Sequence, residues 1–132
     1  MAVYVDDVRH RYGRMFMCHM WADHLNELLR MADHIGVDRK WLQQPPKASW
    51  VHFDISLTMK SKALEAGAIL TDKFGPVEYE ARRLMNSLHE DWRQRGQRML
   101  ANVERSRELR ARSPRVPSPL EGEGQGEGSE PC

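Results

Sequence analysis

The segment MFMCHMWADHLNELLRMADHIG, residues 15–36, decides the fold. Its first eight residues, Met15 to Ala22, are a mostly apolar run with the length of a buried strand. Asp23 then suits a helix N-cap. Leu25, Leu28, Leu29, Ala32 and Ile35 recur at helical spacing before Gly36, which stands where a helix-ending glycine belongs. A strand running straight into an amphipathic helix is the unit from which α/β sheets are built.

Upstream, Ala2-Val3-Tyr4-Val5 is β-branched and aromatic and predicts a first strand, stopped by Asp6-Asp7, while Arg9 to Gly13 reads as a basic turn. Downstream, a connector holding Trp41, Pro45 and Pro46 leads to a strand over Trp50 to Ile55. Ser56 or Thr58 can cap a helix to about Ala66, Gly67 ends it, and Ala68 to Thr71 supplies a fourth strand. This alternation predicts a small α/β domain over 1–74, with a mostly parallel sheet of about four strands and flanking helices.

From Pro76 the pattern changes. Val77, Ala81, Leu84, Leu88, Trp92, Met99 and Val103 recur near helical spacing among arginines and glutamates, predicting one long amphipathic helix within 75–112. A helix of some 30 residues would be about 45 Å long and would overhang so small a domain, so it suits either homodimerisation over 76–110 or a solvated basic arm. Gly96 marks its expected bend or fraying point. Residues 113–132 hold four of the seven prolines and four of the nine glycines, a composition that cannot offset its ordering entropy and predicts a disordered tail.

The whole chain has 132 residues, 20 Lys+Arg against 19 Asp+Glu, and a net charge of +1. That neutrality averages unlike parts, because the helical region is net +3 and the tail net −3. No run approaches the roughly 20 apolar residues of a spanning helix, and the start lacks the basic and apolar regions of a secretion signal. Two distant cysteines, Cys18 and Cys132, make no disulfide framework, so a reducing cytoplasm is the expected setting.

Polar residues within apolar strands are costly to bury, and that cost singles out the candidate site. They are Asp6, Asp7, His19, His52 and Asp54, of which His52 and Asp54 share a strand face by period two. In a parallel sheet such residues would gather at the carboxyl ends of the strands. Asp6, His19, His52 and Asp54 are the candidate catalytic groups, with Asp6 and Asp54 as ligands for a hard cation such as Mg²⁺ or Mn²⁺. Arg9, Arg14 and Lys60 are candidate phosphate contacts, and Tyr12, Trp41 and Trp50 suit either base stacking or core packing. Cys18 reads as a buried small hydrophobe, and the chain holds no Cys-x-x-Cys, P-loop, Gly-x-Ser-x-Gly or Gly-x-Gly-x-x-Gly motif.

Several separated blocks also resemble one family. Val3-Tyr4-Val5-Asp6-Asp7, Cys18-His19-Met20, Ala22-Asp23, Glu27-Leu28, Ile35-Gly36, Arg39, Trp41, His52-Phe53-Asp54-Ile55-Ser56, Lys60 and Ala66-Gly67-Ala68 are similar to the bacterial and phage domain-of-unknown-function family numbered 4031, over residues about 2–71. The resemblance implies a compact α/β domain in a bacterial or phage-encoded group and brings no assigned activity. Two functions follow as expectations. One is binding of a phosphate-containing ligand, nucleotide or nucleic acid, by a metal-dependent nuclease or phosphoesterase. The other is a non-catalytic adaptor acting through the long helix.

Overall fold

Gly13 sets the direction of the sheet. With Arg14 it forms a two-residue connection, and its φ of 62° is the positive value required at the first central position of a type II′ hairpin turn. So short a link can only return the chain antiparallel. The computed structural model describes residues 2–112, which divide into two compact units, 2–72 and 73–112. The sequence reading of 113–132 lies outside the described residues.

The first unit is a mixed α/β domain. Its strands are β1 (Val3–Val5), β2 (His10–Tyr12), β3 (Met15–Ala22), β4 (Phe53–Ser56) and β5 (Ile69–Leu70), with helices α1 (Leu25–Ile35) and α2 (Leu57–Glu65). β3 is the centre of the sheet. One edge of β3 pairs antiparallel with β4, and the other pairs with β2 over Met15–Met17 and with β1 over Met20–Ala22. Only β1 and β5 run parallel. The expected mostly parallel sheet of four strands is therefore corrected to a mostly antiparallel sheet of five. The hairpin imposes one reversal, and the long connector after α1 brings β4 back antiparallel on the opposite edge.

Pairing fixes which side chains share a face. Val5, Cys18, Met20, Phe53 and Ile55 point to one face, where Leu28, Ala32 and Ile35 of α1 and Ala63 of α2 complete the buried core. Gly36 ends α1 at φ 90°, donating to the carbonyls of Ala32 and Asp33, and Ser56 caps α2 by accepting from the Met59 amide. Asp23 does not cap α1, as the sequence suggests it should. Its carboxylate accepts instead from the Ala2 amide at 2.9 Å and the Tyr4 hydroxyl at 3.1 Å, fastening β1 to the end of β3.

The second unit corrects the single-helix expectation. It contains α3 (Gly75–Met85) and α4 (Glu90–Arg112), separated by a turn at 86–89 in which the Ser87 hydroxyl accepts from the His89 amide. α4 runs back along α3, with Arg107 reaching Glu78 at 2.7 Å. Gly96 is the close-approach point of this pair and not a bend. A Cβ built there would lie 2.5 Å from the Ala81 carbonyl oxygen and 2.9 Å from Met85. Gly96→Ala is therefore expected to lower stability by about 1 kcal/mol, since overpacking costs about 1–3 kcal/mol against about 1 kcal/mol of helix propensity regained. An unchanged or raised melting temperature would count against this packing. Ala81 and Val103 are consumed between the two helices, while Leu88, Trp92 and Leu109 stay exposed.

Candidate functional site

The face of the sheet opposite the core collects the polar residues. His19 and Asp54 are direct cross-strand partners, His10 pairs with Met17 two residues before His19, and His52 lies two residues before Asp54. All four therefore project from the same side. Asp6 joins them through a bulge. Four residues, 6–9, stand opposite only Cys18 and His19, so the strand bows out between β1 and β2 while Asp6 keeps a backbone bond to the His19 carbonyl.

Asp6 is fully buried. Its Oδ1 accepts from the amides of His19 at 3.0 Å and Val8 at 3.3 Å, and its Oδ2 lies 2.7 Å from His19 Nδ1. A carboxylate can only accept here, so Nδ1 of His19 carries the proton and Nε2 is directed outward. The hydrogen bond to Asp6 raises the His19 pKa against the opposing effect of burial. At His52 burial wins, and its pKa is lowered. The carbonyl of Trp50, 3.1 Å from His52 Nδ1, fixes the proton on that nitrogen as well. The Trp50 ring stacks on His52 with centroids 4.1 Å apart.

Three imidazole Nε2 atoms thus converge on one oxygen. Oδ1 of Asp54 lies 3.7 Å from His10, 3.8 Å from His19 and 3.6 Å from His52. These separations are too long for hydrogen bonds. They approach the roughly 3.3 Å between donors that share one tetrahedral ion at about 2.0–2.1 Å. His10, His19 and Asp54 each offer an atom within 4.8 Å of the others, and His10 Nε2 has no hydrogen-bond partner among the described residues. The Asp6-to-His19 bond is the outer support that commonly orients a metal-ligating imidazole.

The structure brings Asp6, His19, His52 and Asp54 together, but on a sheet face and not at a strand-end edge. Arg9 lies on the bulge and Arg14 in the hairpin turn, both exposed. Lys60 is elsewhere. It sits on α2, which packs on the core face, and its charge acts on buried Cys18, whose thiol burial pushes up to about 12. Cys18 is therefore inert packing, on the face opposite the histidines.

His10 was hidden from the sequence because Arg9 to Gly13 reads as a turn. The missing signal is alternation about the glycine: taken as a hairpin, Tyr12-Gly13-Arg14-Met15 places His10 opposite Met17 and so on the face of His19.

A small α/β domain with a histidine–carboxylate cluster on one sheet face is a class that fits a metal-binding protein as readily as an acid–base site. The chain belongs to the family described as "Protein of unknown function (DUF4031)", whose model matches residues 3–86. The match spans the first unit and α3. No curated protein and no solved structure matches the chain. Among the described residues no helix is long and apolar enough to cross a membrane.

Proposed function

We propose that His10, His19 and Asp54 hold a divalent transition-metal ion, with His52 beside it, and that the protein hydrolyses a phosphoester at that ion. One observation carries the reading: ring nitrogens of His10 and His19 and a carboxylate oxygen of Asp54 lie within 4.8 Å of one another, and His10 Nε2 has no hydrogen-bond partner among the described residues. Acceptors gathered in this way repel unless a cation stands between or beside them.

Imidazole nitrogens favour zinc or iron(II) over the magnesium expected from carboxylates alone. Three protein ligands leave a position for water, and such an ion lowers the pKa of its bound water to about 7. His52, with Nδ1 on the Trp50 carbonyl, would take the proton of that water at Nε2. The hydroxide would add to phosphorus as the ester oxygen departs, and the proton taken up by His52 would pass to the departing oxygen. Arg14, exposed in the hairpin turn that follows β2, and Arg9, on the bulge before His10, would meet the phosphate as cations.

Calorimetric titration of the full chain with Zn²⁺, followed by hydrolysis of bis(4-nitrophenyl) phosphate with and without a chelator, tests both halves. One ion bound per chain and chelator-sensitive hydrolysis are expected. Absence of binding would remove the metal site. Binding without hydrolysis of this ester or of a 4-nitrophenyl monoester would remove the hydrolase.

A further inference from the structure

A cavity of about 360 Å³ opens beside the cluster, lined by His10, Tyr12, Met15, Met17, Trp41, Gln43 and Asp54. Two of these, His10 and Asp54, are the proposed ligands, so the cavity adjoins the proposed metal site. Its volume is at the small end of the roughly 300–1,000 Å³ that ligand pockets span, which suits a single planar group and not a polymer segment.

The walls describe that group. Tyr12 and Trp41 are large aromatics left mostly exposed, at 67% and 59%. Tyr12 projects from β2 on the same face as His10, while Trp41 comes from the connector after α1, held in a short 3₁₀ turn that Asp38 caps by accepting from the Lys40 amide. Met15 and Met17 supply polarizable thioethers to the lining, a surface that accepts aromatic rings. The Gln43 backbone pairs with His52, which fixes its position, and its side-chain amide, with no partner among the described residues, offers a donor and an acceptor together. Lys40 carries its ammonium 5.3 Å from the Trp41 ring centroid, placing positive charge beside this wall.

Aromatic faces, an amide able to read a hydrogen-bonding edge, a cation nearby and the His10–His19–Asp54 cluster at one end together match a nucleotide. We infer that the cavity between Tyr12 and Trp41 binds the base of a mononucleotide whose phosphate lies on the His10–His19–Asp54 cluster. This rests on the phosphoester reading above and names its substrate class. A phosphorylated sugar without a base would leave both aromatic faces and the Gln43 amide unused.

The test uses the full chain loaded with Zn²⁺ and measures affinity for the four ribonucleoside 5′-monophosphates and for ribose 5-phosphate. Stacking on aromatic side chains predicts that at least one nucleotide binds about 5- to 150-fold tighter than ribose 5-phosphate. Trp41→Ala and Tyr12→Ala should each cut that preference while leaving Zn²⁺ and ribose 5-phosphate affinities unchanged. Both side chains are mostly exposed, so neither change threatens the core. Equal binding of all five ligands, or a preference that survives both substitutions, would overturn the base site while the metal site stands. Nucleotide preference without Zn²⁺ binding would instead keep the base site and overturn the metal reading.

Discussion

Asp54→Ala is expected to abolish tight Zn²⁺ binding and leave the fold intact. The three imidazoles converge on Asp54 Oδ1, so its removal takes away the one anionic donor and the common point of the cluster. Loss of an outer partner alone costs metal sites about 10–100-fold in affinity, and loss of a direct ligand should exceed that. The side chain is 31% exposed and stands on the face away from the core, so the melting temperature of the metal-free protein should change little. Calorimetry on both proteins, with circular dichroism as the folding control, is the measurement. Equal affinities would remove Asp54 as a ligand.

Asp6→Asn should impair the site through a proton. The Asn oxygen can keep the bonds that Oδ1 accepts from the His19 and Val8 amides, so the bulge survives. The other position then carries an NH₂ group, which donates. His19 Nδ1 must become the acceptor, and its proton moves to Nε2, the atom that faces Asp54. An imidazole protonated there cannot ligate, and tautomer reversal by such a substitution is a known way to disable a histidine. A drop of about 10–100-fold in Zn²⁺ affinity is expected.

The same variant tests the electrostatics. In the wild type the Asp6 hydrogen bond raises the His19 pKa above 6.5. A raised histidine pKa adds stability that is fully present below the unfolded value and disappears as pH rises through the folded one. The metal-free wild type should therefore exceed Asp6→Asn in stability most below pH 6.5, and by progressively less as pH rises above it. Denaturant melts on either side of that value measure the gap. A gap that widens with pH would contradict the pairing.

Local signals were legible in the sequence wherever a segment was long or punctuated. β3, α1 with its closing Gly36, and the Ser56 cap of α2 all follow from apolar spacing and cap residues. The candidate histidines and aspartates were legible for a related reason, since charge within an apolar run must be compensated. Strand direction was not, because periodicity records which face a residue occupies and nothing about the neighbouring strand. β2, only three residues long, lacked a run to read, and its loss hid His10. The helix break at 86–89 escaped because apolar residues continue in helical phase across it, while the interrupting signal is one serine turn. Asp23 shows tertiary context overriding a local preference: the Ala2 amide and the Tyr4 hydroxyl claim its carboxylate before the helix can.

The central strand carries two messages interleaved in one stretch of chain. Phe16, Cys18, Met20 and Ala22 lie on the core-facing side of β3, and Met15, Met17, His19 and Trp21 on the site-facing side. Inserting or deleting a single residue inside β3 would exchange the two sets from that point on, driving histidine into the apolar core and exposing its former packing. Changes in length should therefore be borne elsewhere, above all in the connector between α1 and β4. Within β3 the chain can vary only by substitution: at Cys18 or Met20 at the expense of packing, at His19 at the expense of the cluster, and at Trp21, buried on the site-facing side, again of packing.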